Sequence, residues 1–328
     1  MAKKEALYYS RGDNLSVHCK LCPHNCLIKE GKSGICRVRK NEGGRLYSLN
    51  YNKISSLAVD PVEKKPLYHF YPGSKVLSVG TYGCNFSCTF CQNWQISQET
   101  PVLREYSAEE IIAAAEKEDI KMIAFTYSEP IVWYEYVKET AELAKKNNIK
   151  TVLVSNGFIE KDPLEELIPF IDAANIDLKS FNSSFYKKYC GGSLEPVKNT
   201  IKIMAETIHL ELTNLIITDL NDSREEIEKI TDWIASINKN IPLHLSRYYP
   251  ANKLKKKSTD PETLKKAYQT AKRKLSYIFL GNINIAGAGD TICSNCGETI
   301  INRSGYSIKN LIKNGKCPYC KTAVNGQF

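Results

Sequence analysis

Between residues 76 and 280, short continuous apolar runs alternate with longer stretches in which apolar positions recur every three or four residues. Short runs of this kind read as strands buried on both faces, and the recurring pattern reads as amphipathic helices. The pattern predicts strands at Val76–Tyr82, Lys121–Thr126, Lys150–Ser155, Ala173–Leu178, His209–Ile217, Leu243–Arg247 and Tyr277–Leu280. It predicts helices at Ser107–Lys117, Ile131–Asn147, Pro163–Phe170, Leu194–Glu206, Ser223–Asn238 and Pro261–Leu275. Ser107 is placed to cap its helix, with Glu109 and Glu110 in the first turn, where carboxylates favour the helix dipole. Strand–helix alternation of this period implies parallel βαβ units, and six or seven of them suit a partial or complete barrel.

Composition narrows the setting. The 328 residues are 42% hydrophobic, enough for one large domain with small appendages. No apolar run approaches the ~18 residues that span a bilayer. The opening MAKKEALYYS is basic but has no apolar core, which argues against a secretory signal. Twelve cysteines in such a chain point to metal sites in a reducing, cytoplasmic setting rather than to disulfides. The net charge is +9, and residues 253–274 hold nine Lys/Arg against Asp260 and Glu262. A solvated helix face is the favoured reading of that stretch over a nucleic-acid patch.

The cysteines fall into three groups and a single. Cys84, Cys88 and Cys91 lie in GTYGCNFSCTFCQNW, just after the first strand of the alternating region. A [4Fe–4S] cluster normally takes four cysteines. Three close thiolates leave one iron open to bind a small molecule, with Phe90 beside the last of them among the cofactor-binding candidates. Cys293, Cys296, Cys317 and Cys320 form two CxxC pairs with zinc-ribbon spacing, a closed tetrahedral site. Cys19, Cys22, Cys26 and Cys36 form another set of four, for zinc or an auxiliary [4Fe–4S] cluster, with His24 as a spare ligand. A small lobe that needs stapling tips that choice slightly to zinc. Cys190, in YKKYCGG, is unpaired. It reads as buried and inert, or as exposed with a lowered pKa beside two lysines. Three modules follow: a Cys-rich lobe at 1–72, a (β/α) barrel at 73–285 and a ribbon at 286–328.

Polar residues at strand ends complete the candidates, because β/α barrels build their sites there. They are Glu129 in TYSEP, Asn156 and Gly157 in SNG, and Asp177 and Lys179 in NIDLK. Asn156 is placed to bond ribose hydroxyls. Asp177 and Lys179, two apart on a strand, project from one side. Glu211 and Thr213 alternate along the next strand, and His244 is read as ending the one after. Each has a plain alternative: a helix-capping carboxylate, a turn, an ordinary ion pair, a packed core histidine.

The cysteine triplet resembles the signature of the radical S-adenosylmethionine (SAM) enzymes. CKLCPHNC, GKSGICRVR, DPVEKKPLYHFYPGS, GCNFSCTFCQNWQIS, TYSEP, SNG, NIDLK and the ribbon, in that order, resemble the AmmeMemoRadiSam-system radical SAM proteins, kin of the pyruvate formate-lyase activating enzymes. The resemblance covers nearly the whole chain. It implies an α/β fold with a partial (β/α) barrel of radical SAM type between small metal-binding lobes. It implies reductive cleavage of SAM at a [4Fe–4S] cluster to a 5′-deoxyadenosyl radical, acting on a protein partner as in glycyl-radical activation. It places Glu129, Asp177, Lys179, Glu211 and His244 around SAM, although Thr-Tyr-Ser stands here where the activating enzymes carry glycines before the acid. AMMECR-type and Memo-type proteins are implied as partners, with an electron donor such as ferredoxin or flavodoxin. An RNA-modifying radical SAM enzyme and a non-catalytic Fe–S and zinc assembly module are the alternatives.

Overall fold

The computed structural model describes residues 3–328. At its centre is an eight-stranded sheet. Its strands are β1 (Ser56–Pro61), β2 (Lys75–Gly80), β3 (Met122–Phe125), β4 (Lys150–Ser155), β5 (Ala173–Asp177), β6 (His209–Ile216), β7 (Leu243–Arg247) and β8 (Ile278–Gly281). Spatial order follows chain order, and all neighbours from β2 onward run parallel. The two ends of the sheet do not pair, so the barrel is partial. Helices α1 (Ala108–Lys117), α2 (Tyr134–Lys146), α3 (Lys161–Leu167), α4 (Leu194–Thr207), α5 (Arg224–Asn238) and α6 (Pro261–Lys272) form the crossovers.

Three of the six helices begin where the sequence supplies a side-chain partner for the free N–H groups of the first turn. Ser107 and Glu110 form a reciprocal capping box on α1, Ser223 caps α5, and Asp260 caps α6 ahead of Pro261. The predicted helix at 131–147 begins instead as a 3-10 turn, Pro130–Trp133, capped by the Glu129 carboxylate. All described helices are too short or too polar to cross a membrane.

Strand β1 departs from the expected boundary at residue 73. It pairs antiparallel with β2 and makes the barrel sheet start at Ser56. Leu57 and Val59 are partly exposed there, and Pro61 ends the strand, as suits an edge position. Before it lie two small three-stranded sheets that form the N-terminal lobe. Arg39 and Glu135 tie that lobe to α2 through a fully buried ion pair of 3.0 Å. His24 Nε2 lies 2.7 Å from the Asn85 carbonyl, and Gly83 approaches Val38 so closely that a Cβ would stand 2.6 Å from its Cγ1. The lobe is thus packed directly on the loop that follows β2.

The C-terminal lobe is a three-stranded antiparallel sheet, Thr291–Ile292, Thr299–Ser304 and Ser307–Asn310. Its core is shared with the barrel: Cys293, Ile300 and Cys317 pack with Tyr277 and Phe279. Arg303 donates to the Tyr68 carbonyl at 2.6 Å, and His69 Nδ1 lies 2.7 Å from the Asn325 carbonyl.

Candidate functional site: a thiol-lined cavity at the strand ends

Parallel strands deliver whatever follows their C-termini to one rim. The loop after β2 carries Cys84, Cys88 and Cys91, Glu129 follows β3, Ser155 and Asn156 close β4, and Asp177 and Lys179 close β5. All of these, with Phe90, line a single cavity of about 340 Å³. That volume lies within the range of small-molecule sites, ~300–1,000 Å³.

The thiols are set up as acceptors. Cys84 Sγ receives the Phe86 N–H at 3.3 Å and the Asn156 amide at 3.7 Å. Cys91 Sγ lies 3.2 Å from the Ser97 hydroxyl. A hydrogen bond from the Cys190 thiol, aided by the charge of Lys179, lowers the Cys88 pKa despite burial, whereas burial raises those of Cys84 and Cys91. Lys179 Nζ is 3.0 Å from Asp177 Oδ2. Burial works against its charge, but the Asp177 carboxylate and the Cys88 thiolate more than offset it, so the ammonium is held well above its usual range. Three thiols, a buried cation and N–H donors aimed at sulfur fit an anionic thiolate-bound cluster.

Glu129 is 3% exposed and accepts the Ser155 hydroxyl at 2.7 Å, the Asn156 N–H at 2.9 Å and the Ile131 N–H at 3.0 Å. Burial raises its pKa to about 7, less than it would without those three hydrogen bonds. The carboxylate therefore caps its 3-10 turn and also faces the cavity. Just before it, Tyr127 adopts a left-handed φ of 70°, the region a glycine enters most easily. Its hydroxyl donates to Asp60 at 2.8 Å and Lys65 lies 4.5 Å from the centre of its ring, contacts that hold a bulky residue in that conformation.

Three expected residues stand outside the cavity wall: Gly157, Glu211 and His244. His244 is the second residue of β7 rather than its end, so it lies at the opposite end of the barrel from the cysteines. There it meets Glu211, at 2.6 Å from Oε2. Glu211 also accepts the Tyr68 N–H at 3.0 Å and the His69 N–H at 2.7 Å, and lies 3.0 Å from His209 Nε2. The pair clamps β6 and β7 to the segment before β2. Thr213 and Ser246, two residues further along the same faces, line the cavity instead. Period two alone points to Ser246, whereas Asn282 and Asn93, also in the wall, carry no sequence signal.

In the ribbon, Cys293 and Cys320 sulfurs are 3.6 Å apart and those of Cys296 and Cys317 are 3.7 Å apart. Four sulfurs at ~2.3 Å around one ion stand about 3.8 Å from one another, so the set fits a tetrahedral metal. No other group of three or more His, Cys, Asp or Glu among the described residues brings its ligand atoms within 4.8 Å of one another. Cys19, Cys22, Cys26 and Cys36 nevertheless share one small cavity with His24 and Arg39. Arg39 Nε is buried there without a hydrogen-bond partner. Cys190 is wholly buried, and burial pushes its thiol far up, which removes the exposed, low-pKa alternative.

A parallel partial barrel with a three-cysteine loop at its strand ends defines a class of enzyme, and comparison with known proteins agrees. The Radical SAM superfamily model matches residues 78–234. The uncharacterised protein MJ0808 of Methanocaldococcus jannaschii is 41% identical over 332 residues, covering 98% of this chain and 99% of its own. A putative glycyl-radical enzyme activating enzyme of the same organism, MJ1632, is 27% identical over 62% of this chain and 80% of its own. The crystal structure of Streptococcus suis SuiB bound to S-adenosylmethionine shares the fold, with a TM-score of 0.51 at 17% identity over 68% of this chain and 53% of that one. The chain belongs to the radical SAM superfamily, as an enzyme similar to the glycyl-radical activating enzymes.

Proposed function

We propose that this chain holds a [4Fe–4S] cluster on Cys84, Cys88 and Cys91, cleaves SAM there, and acts on a protein substrate. The observation that carries the reading is the convergence of three thiols, Glu129 and the Asp177–Lys179 pair on one cavity. When bound, the cluster supplies the electron that splits SAM into methionine and a 5′-deoxyadenosyl radical. The residues bind, orient and shield. Glu129 faces the SAM ammonium, a charge-assisted contact. Asn156 is anchored through its own N–H to Glu129, and its side chain bridges the Phe158 N–H, Asn85 and the Cys84 sulfur, which orients the cysteine loop against the cavity. Lys179 and Asp177 hold opposite charges at fixed separation beside the thiols. The protein-substrate half is supported by the likeness to an enzyme named as activating a glycyl-radical enzyme. Reduced with dithionite under anaerobic conditions, the reconstituted chain is expected to convert SAM to 5′-deoxyadenosine and methionine; no 5′-deoxyadenosine at all refutes the reading.

The raised pKa of Glu129 adds a pH test. Below about 7 the carboxyl carries its proton and loses its attraction for an ammonium. SAM affinity is expected to fall as pH drops through that value. Glu129→Gln should cost ~1.5–3 kcal/mol at pH 8, about ten- to a hundredfold in Kd, and flatten the dependence. Calorimetric titration at several pH values decides it, and an unchanged profile in the variant removes Glu129 from the site.

For the N-terminal set, a cavity of only about 10 Å³ between the four thiols, His24 and Arg39 favours a single zinc ion over an auxiliary iron–sulfur cluster. Reconstituted protein should then hold about four iron and two zinc per chain. Changing Cys19 and Cys22 to Ser should remove one zinc and leave the iron. A halved iron content with zinc unchanged would reverse the assignment.

A further inference from the structure

Of the three thiols on the loop after β2, Cys91 has a hydroxyl beside its sulfur, Ser97 Oγ at 3.2 Å. A cysteine that ligates iron is a thiolate and can only accept, so on a bound cluster Ser97 is the donor. Hydrogen bonds to the ligand sulfurs help to set a cluster's reduction potential. Whatever holds Ser97 in place therefore bears on the cluster. Ser97 is 4% exposed and ends the single helical turn Trp94–Ser97. A lone turn is unstable by itself, and the carbonyls at its C-terminal end have no partner within it. Arg37 supplies one. It reaches across 60 positions from the N-terminal lobe, donating from Nη2 to the Ser97 carbonyl and from Nη1 to the Gln98 carbonyl, the latter at 2.6 Å. Two N–H groups of one planar guanidinium fix orientation as well as position, which the point charge of a lysine does not. The turn is tied to the cysteine loop at two more points. The Gln98 side-chain amide donates to the Cys88 carbonyl at 3.3 Å, and the Gly83 N–H donates to the Ile96 carbonyl at 3.1 Å.

Arg37 is itself aimed by the N-terminal cysteine set. It directly follows Cys36, adopts a left-handed φ of 67°, and its N–H donates to the Gly34 carbonyl at 2.9 Å. A residue other than glycine keeps that conformation only where its surroundings hold it. A metal bound through Cys36 pins the residue immediately before it. On the other flank, His24 stands between Cys22 and Cys26 and meets the carbonyl of Asn85, the neighbour of Cys84. The lobe thus grips the cysteine loop beside its first and its last thiol.

Resting on the cluster reading above, we propose that Arg37 is a positioning residue for the cluster: through Ser97 it fixes the hydrogen bond on the Cys91 sulfur, and the N-terminal cysteine set is the mount that aims it. Reduction adds one negative charge to the cluster, and a donor on sulfur favours the more negative state. Without the clamp the cluster is harder to reduce.

The midpoint potential is read by EPR on the full-length reconstituted chain poised at a series of potentials without SAM, beside iron, zinc and melting temperature. Arg37→Ala and Ser97→Ala should each move the cluster to a more negative potential at parental iron and zinc content. The expected size is about three- to tenfold in the reduction equilibrium, the worth of one hydrogen bond. Combining the two changes should add little to either alone, since both remove the same hydrogen bond. Arg37→Lys should recover part of the shift, and Arg11→Ala, at an exposed arginine of the same lobe, should show none. If Arg37→Ala fails to load iron, Arg37→Gln, which keeps one donor for the carbonyls, takes its place. Cys19→Ser with Cys22→Ser, which dismantles the mount and leaves the cluster cysteines, should reproduce the Arg37→Ala shift. A parental potential in either single variant, or shifts that simply add when combined, overturns the role of Arg37. A parental potential in the Cys19 and Cys22 variant overturns the mount. Absence of the cluster signal from the parental chain sinks the cluster reading and this inference with it, whereas a signal present but unmoved sinks this inference alone.

Discussion

Replacing Cys84, Cys88 and Cys91 together by alanine is expected to abolish 5′-deoxyadenosine formation while leaving a folded, zinc-containing chain. Enzymes typically supply rate factors of ~10⁶ or more, so losing the reactive centre should take activity to background. The fold should survive, because the triplet sits on a loop whose backbone is held independently: the Ser87 and Thr89 N–H groups and the Thr89 carbonyl all have partners outside it. Iron content should fall by about four per chain, the complement of one cubane. Circular dichroism and zinc content of the purified variant check the fold, and product analysis checks the chemistry. Cleavage persisting in the triple variant would move the reaction to the N-terminal cysteines.

Glu211→Ala is expected to cause the largest loss of stability of any single change outside the metal sites. The carboxylate is fully buried and serves four donors: two backbone N–H groups and the Nε2 atoms of His209 and His244. Removing one partner of a buried charged network costs ~3–5 kcal/mol, since the remaining polar groups are stranded without water. Denaturant unfolding should show the shift, and Glu211→Gln, which keeps an acceptor, should lose less. The same hub predicts acid lability. Burial alone would raise the Glu211 pKa, but hydrogen bonds from His209 and His244 hold it well below the usual range. Burial lowers His69 from 6.5 to about 4. In both cases the unfolded chain takes up its proton at a higher pH than the folded one. Stability is therefore full near neutral pH and falls as the pH drops, first through the His69 window of about 6.5 to 4 and then through that of Glu211. A His69→Gln variant should remove the first part of that slope; an undiminished slope would assign it to other groups.

The alternating core was legible because strands buried on both faces cannot be written without continuous apolar runs, and the cysteine spacing was legible because ligand geometry is local. What escaped depends on depth. Glu211 and Thr213 share a face of one strand, and nothing in residue type says which reaches the cavity and which the far end of the barrel. For His244 the error was one of position along the strand: it is the second residue of β7, and Ser246 two residues on takes the place expected of it. Strand β1 was hidden because SLAVDP at a sheet edge is partly exposed and lacks a buried run. The environment of Cys190 is set by Ser87 and Cys88 of the cysteine loop, just over a hundred residues earlier, which no local pattern records.

The contacts of residues 325–327 bear on how the chain is made. The Asn325 carbonyl lies against His69 Nδ1 across 256 positions, the Gln327 N–H donates to the His69 carbonyl at 2.8 Å, and the Tyr71 N–H donates back to Gln327 at 2.7 Å. Tyr68 and His69 are the residues whose N–H groups seat Glu211. On the ribosome, this clamp cannot be completed until residues 325–327 have cleared the exit tunnel. At 5–20 residues per second, roughly 13–50 s of synthesis separate the two strands of chain that must meet. Over that interval β2 to β8 emerge one after another with Glu211 and the segment it seats still lacking their C-terminal clamp, so the seal is the last part of the fold to form.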